Sequence, residues 1–167
     1  HKLGADPDRV VSFHSLSKRS NLPGLRSGFA ASGEKNIKQM KQLRAYSGAP
    51  IPEPLQHVSA SVWDDENHVI QNREIYKKKY KFADKIFNGF DGYLSPEAGF
   101  FLWLDVDNGE KTALELWQAC GVRVLPGKYL AKDLNGQSPG DRFIRVAMVS
   151  ELEETKEGLK KIREFLD

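Results

Sequence analysis

Apolar side chains along this chain follow two different periods. The β-branched run Val10-Val11-Ser12-Phe13 predicts a strand over 9–16. Gly28-Phe29-Ala30-Ala31-Ser32 predicts a second, short buried strand that Gly33 ends. From Glu34 to Tyr46, Ile37, Met40 and Leu43 recur at helical spacing and predict a helix. Pro50, Pro52 and Pro54 then turn residues 47–54 into a connector that cannot be helical throughout. Beyond it Leu55, Val58, Val62, Val69, Tyr76, Tyr80, Ala83 and Phe87 lie three, four or seven residues apart. That spacing predicts a long helix seam over 55–87, stopped by Gly89. The Asp64-Asp65-Glu66 cluster marks where it bends or breaks.

The last third changes character. Strands are expected at Tyr93-Leu94, 100–106, 122–125 and 142–149, with Pro126-Gly127 as a turn. Helices are expected over 112–119 and 151–166. Such mixing predicts an α+β lobe. The chain therefore reads as α/β in three parts: 1–47 from an α/β layer, 48–88 a connector and long helix, and 89–167 a smaller lobe.

Composition narrows the partners. The 25 basic and 23 acidic side chains among 167 residues are too balanced to predict a nucleic-acid or membrane partner. The single cysteine, Cys120, excludes an intrachain disulfide framework and fits a reducing, cytoplasmic compartment. No run is long and apolar enough to span a bilayer. His14, His57 and His68 lack metal-ligand spacing, so no metal is expected. Lys77, Lys78, Lys79 and Lys81 read as a solvated helix face, and Cys120, Phe101 and Trp103 as core. The opening His1-Lys2-Leu3-Gly4 reads neither as an initiation site nor as a capped element.

One stretch carries chemistry. Residues 14–29, HSLSKRSNLPGLRSGF, place hydroxyls, a lysine and arginines among tight-turn residues directly after the first strand. Chemistry on a phosphorylated aldehyde needs an amine to meet the aldehyde and polar groups to hold the phosphate. Ser15 stands three residues before Lys18 and Arg26 eight after it. A hydroxyl and a guanidinium both suit a phosphate. Gly24 and Gly28 allow tight folding, and Pro23 stiffens the turn. Taken alone, the same residues also suit a solvated loop.

The order Ser15-Leu16-Ser17-Lys18, a glycine-containing loop, then Arg26-Ser27-Gly28 resembles the cofactor-lysine signature of the class I/II pyridoxal-phosphate aminotransferases. The resemblance implies that Lys18 carries pyridoxal 5'-phosphate and is the catalytic lysine, with Ser15 and Arg26 binding the phosphate. Pro96 to Leu104 looks like the family's small-domain strand, and Val122 to Gly127 like its turn ending in Pro-Gly. Phe143 to Met148 looks like the strand whose arginine, here Arg145, grips the substrate α-carboxylate. Arg123 and Arg142 are expected to be structural.

The implied fold is the C-terminal part of a fold-type-I aminotransferase. Residues 1–47 would end the large cofactor-binding domain, 48–88 form the interdomain helix, and 89–167 the small α+β domain. The family's upstream region, which holds the pyridine ring and part of the phosphate, has no counterpart here. The chain is thus expected to be a fragment, inactive alone, of a homodimeric enzyme. Within the family, Ser17 to Phe29 and Trp63-Asp64-Asp65-Glu66 with His68-Val69 look most like the N-succinyl-diaminopimelate aminotransferases of bacterial lysine synthesis. That resemblance implies glutamate as donor and a 2-oxo acid acceptor. Aspartate, alanine or aromatic aminotransferases, a carbon–sulfur lyase of the same fold, and a non-catalytic module are the alternatives.

Overall fold

The computed structural model describes Gly4 and residues 6–167, so the opening His1-Lys2-Leu3 lies outside the described residues. Contacts divide the chain into two compact units, His1–Asn72 and Arg73–Asp167.

The first unit begins with a tight turn, Pro7–Arg9, capped by the Asp6 carboxylate, which accepts from the Asp8 N–H at 3.0 Å. Strand β1 (Ser12–Ser15) leads into helix α1 (Leu16–Arg19), and β2 (Gly28–Ala31) returns antiparallel to β1 with Gly28 opposite Ser15. Both strands are shorter than the apolar runs predict, and β2 is not buried. Phe13 is 72% exposed and Phe29 46%, because this sheet has two strands and the Phe29 ring is covered in part by His14 and Trp63. Helix α2 (Glu34–Tyr46) has the predicted bounds.

The long seam is two helices, α3 (Glu53–Asp64) and α4 (Asn67–Ile86). Asp65 makes the break with an extended backbone, φ −86° and ψ 110°. Its carboxylate accepts from the Asn67 N–H and meets His68 Nδ1, both at 2.8 Å, so it starts α4 as it ends α3. The His68 contact holds the Asp65 carboxyl below its ordinary pKa.

The second unit carries strand β3 (Phe101–Asp105), helix α5 (Gly109–Cys120), β4 (Leu125–Pro126), β5 (Phe143–Ala147) and helix α6 (Leu152–Leu166). The strands form one antiparallel sheet in the order β3-β5-β4. Leu102, Leu104, Ile144 and Val146 alternate onto one face and bury against Leu116 of α5 and Leu159 and Ile162 of α6. Asn108 caps α5, accepting from the Lys111 N–H at 3.0 Å, and Gly121 ends it at φ 72°.

Three expectations change in this unit. Tyr93-Leu94 is irregular chain rather than a strand, with the Tyr93 N–H closing the turn at 91–92 onto Phe90 O and its ring stacked on Phe87 at 5.3 Å. The expected strand over 122–125 shrinks to Leu125–Pro126, and Pro126 is tolerated because β4 is an edge strand. Lys79 is not solvated: it is 4% exposed, and its ammonium donates to Met148 O at 2.7 Å and to Ser150 O. Burial pushes its pKa down, although Glu151 opposes the shift.

Candidate functional site

The loop between β1 and β2 is closed by its own hydrogen bonds. The Leu16 N–H donates to Ser27 O at 3.1 Å, and Ser20 and Leu22 N–H groups converge on Leu16 O. Leu16 is fully buried and Ser20 and Ser27 nearly so, which anchors the loop from inside. Ser15, Lys18 and Arg26 all lie on this one loop, each exposed.

Each of the three has a defined local setting. The Ser15 hydroxyl caps α1, accepting from the Ser17 N–H at 3.1 Å, and reaches Ser27 O at 3.4 Å. Lys18 stands on α1 one turn after that cap. Arg26 follows the tight turn Pro23–Leu25 in a left-handed conformation, φ 51° and ψ 34°. That geometry costs a non-glycine residue energy and is a feature of constrained sites. The Arg26 guanidinium and N–H both donate to Pro23 O, at 2.9 and 3.3 Å.

Gly28 explains the tight closure. A Cβ there would lie 2.3 Å from the His14 carbonyl oxygen, so only glycine lets β2 pair with β1 beside Ser15. Arg26 also borders an open groove of about 860 Å³ whose walls include His14, Phe29 and Trp63. His14 stacks on Phe29 at 5.0 Å, and Trp63 meets Phe29 edge-on at 4.8 Å. A hydroxyl, an amine and a guanidinium on one hydrogen-bonded loop are the donor set that suits a phosphorylated aldehyde.

Arg145 stands in the second unit, on the central strand β5, opposite Trp103 on β3 and Leu125 on β4. It points to the sheet face away from the core. Its guanidinium lies 4.2 Å from the Phe101 ring centroid. Trp103, 40% exposed, stacks on Phe143 at 5.3 Å on the same face. Phe101 and Trp103 are therefore not core, because Leu102 and Leu104 take the inward positions of β3. Strand alternation could have identified both as neighbours of Arg145.

The other arginines differ. Arg142 pairs with Asp105 and Asp107 at 3.1 Å each, and Arg123 lies over the Trp117 ring at 3.9 Å. Arg145 has no ion pair among the described residues. Half-buried, with five donors and an aromatic face beneath it, it is suited to bind a carboxylate. The described residues hold no group of three His, Cys, Asp or Glu side chains suited to a metal ion. Cys120 borders the core and donates its thiol to Leu116 O at 3.1 Å.

The family model for Aminotransferase class I and II matches residues 1–162. The chain belongs to the class I and II aminotransferases. This aminotransferase chain is 36% identical to an aminotransferase from Neisseria meningitidis whose solved structure it matches with a TM-score of 0.93. That match covers 99% of this chain and 43% of the other. A Thermus thermophilus structure, described as a probable N-succinyldiaminopimelate aminotransferase, is 27% identical with a TM-score of 0.77. It is covered over 43% of its length, by 96% of this chain. Among curated relatives, the LL-diaminopimelate aminotransferase of Dehalococcoides mccartyi is 26% identical over 93% of this chain and 40% of its own length. The transaminase OxyQ of Streptomyces rimosus is 27% identical over 88% of this chain and 40% of its length. The chain thus spans about 40% of the curated relatives it matches. The likeness to solved structures extends to fold type I, so the mixed α/β architecture agrees with the sequence expectation. The family depends on pyridoxal phosphate.

Proposed function

We propose that this chain is the C-terminal part of an enzyme that uses pyridoxal 5'-phosphate to transfer an amino group from an amino acid, glutamate, to a 2-oxo acid. The acceptor in this reading is N-succinyl-2-amino-6-oxopimelate, of bacterial lysine and diaminopimelate synthesis. The observation that carries the transfer chemistry is Arg145: a half-buried arginine over Phe101, unpaired with any carboxylate among the described residues. The choice of acceptor is supported by the likeness to the Thermus protein described as a probable N-succinyldiaminopimelate aminotransferase. It is supported further by the stretches around Lys18 and Trp63. The three-part division at 47 and 88, a homodimer and a cytoplasmic location belong to the same reading. Among the described residues no helix is long and apolar enough to cross a membrane.

Pyridoxal 5'-phosphate, when bound, supplies an aldehyde and a conjugated ring that accommodates electrons released at the substrate α-carbon. The chain's own residues divide the remaining work. Ser15 and Arg26 hold the phosphate through charge-assisted hydrogen bonds. Lys18 presents the primary amine that retains the cofactor and later carries a proton at Nζ. Arg145 binds the α-carboxylate bidentately and so orients the substrate. Phe101 keeps the guanidinium plane in place by lying against it.

The test is an assay of the full-length protein with glutamate and a panel of acceptors. Formation of 2-oxoglutarate fastest with N-succinyl-2-amino-6-oxopimelate is expected. Preference for oxaloacetate, pyruvate or an aromatic 2-oxo acid would move the acceptor. In a parallel assay with a β-thioether amino acid and no acceptor, release of a thiol, ammonia and pyruvate would replace transfer with lyase chemistry.

A further inference from the structure

Two stretches singled out in the sequence, Lys18-Arg19-Ser20 and Trp63 to Glu66, meet within the first unit at Arg19. The Arg19 side chain is 17% exposed. Its guanidinium donates to the carbonyls of Val62 at 3.2 Å and Trp63 at 3.3 Å, and to the Ser20 hydroxyl at 3.2 Å. It also pairs with the Glu66 carboxylate and lies 4.9 Å from the Trp63 ring centroid. Val62 and Trp63 belong to the last turn of α3, whose final carbonyls have no intrahelical donor. A cation there satisfies those carbonyls and faces the negative end of the helix.

Helix α1 has four residues and cannot hold its own orientation by backbone hydrogen bonds alone. Its N-terminal end is held by buried Leu16 and by the Ser15 cap. Its C-terminal end is held by Arg19, one residue beyond Lys18. The planar guanidinium fork reaches two carbonyls and a carboxylate at once, so it fixes rotation as well as position.

We propose that Arg19 is a positioning residue: by locking the end of α1 onto the last turn of α3, it sets the direction in which Lys18 presents its amine. This inference rests on the reading of Lys18 as the cofactor lysine. It extends that reading to a residue that touches neither cofactor nor substrate.

The test uses the full-length protein loaded with pyridoxal 5'-phosphate, reduced with borohydride and mapped by peptide. The readout is label on Lys18 relative to label on all other lysines, compared only between proteins whose circular dichroism and urea midpoint show them equally folded. In Arg19→Met the ratio is expected to fall about tenfold, and kcat by a similar factor, since a misplacement on the order of 1 Å is costly to a reacting group. KM for the amino acid should stay within about twofold, because the carboxylate contact is untouched. Arg19→Lys keeps the charge but loses the fork, and its ratio should lie between those of Arg19→Met and wild type. Absence of Lys18 label in the wild-type protein would overturn the proposed function whatever Arg19 does. Label on Lys18 in the wild type with an undiminished ratio in Arg19→Met would overturn the positioning role alone. Should Arg19→Met not fold by circular dichroism, Arg19→Lys decides, and a wild-type ratio there overturns the role.

Discussion

The Arg145 guanidinium lies 4.2 Å from the Phe101 ring centroid, whereas Arg142, three residues earlier on the same strand approach, is held by Asp105 and Asp107. The two arginines share a chemistry and differ in partners. Arg142 has its charge answered within the protein, and its pKa is raised by the Asp105 hydrogen bond. Arg145 offers its donors outward across an aromatic face. Arg145 has no ion pair among the described residues, which is the condition that its proposed role as the substrate carboxylate's partner requires.

Replacing Arg145 by lysine keeps the charge and loses the bidentate fork. In the full-length protein, kcat/KM for amino acids should fall by about 2–4 kcal/mol of transition-state stabilisation. Cofactor retention should be unchanged, as read from the visible absorbance. An unaltered kcat/KM would refute the carboxylate role.

Gly28→Ala should damage the loop rather than the chemistry directly. The added Cβ would sit 2.3 Å from His14 O, in a place where backbone has to yield. A loss of about 1–3 kcal/mol in unfolding free energy is expected from such overpacking. Because Gly28 lies opposite Ser15, affinity for pyridoxal 5'-phosphate should fall with it. Equilibrium dialysis with the cofactor checks this, and wild-type affinity would show that the β1–β2 closure does not matter for binding.

Lys79→Met removes the donor to Met148 O and Ser150 O while keeping an apolar stem. Ser150 O keeps the Thr155 hydroxyl as donor at 3.0 Å, so the cost falls on the buried Met148 carbonyl and should be about 1–3 kcal/mol in a urea titration. No measurable change would return Lys79 to the solvated face that its sequence context predicts.

Alkaline pH should weaken the second unit through Tyr93. Burial, and then the 2.6 Å hydrogen bond to Asp84, raise its pKa well above the ordinary tyrosine value. The neutral phenol is therefore favoured more in the folded state than in the unfolded one. Its contribution is fully present below about pH 10, the unfolded value, and is lost as pH rises toward the folded value. Tyr93→Phe should lower stability at neutral pH and flatten the decline above pH 10. Parallel wild-type and variant profiles of the urea midpoint against pH would exclude the linkage.

Several elements were legible from local pattern. The helix from Glu34 to Tyr46 has the predicted limits, and α6 was placed to within a residue, because helical spacing of apolar positions is a local property. The break at Asp65 was also legible, since an acidic cap acts on its own neighbours. The strand at Tyr93-Leu94 failed because β-prone residues there find a ring partner in Phe87 instead of a strand partner.

By itself the sequence determined the order and spacing of Ser15, Lys18, Arg26 and Gly28, and that pattern carried the resemblance to the family, because a motif is a property of residue order along the chain. Only the tertiary structure decided partnership. Arg142 and Asp105 stand 37 residues apart, Lys79 and Met148 69 apart, and Arg19 and Glu66 47 apart. An arginine or lysine reads the same in sequence whether it is solvated, buried under a carbonyl, paired, or left open to a ligand. Hydrogen bonds and ion pairs act through a few ångströms of space, and that distance is fixed by how the strands and helices pack rather than by separation along the chain.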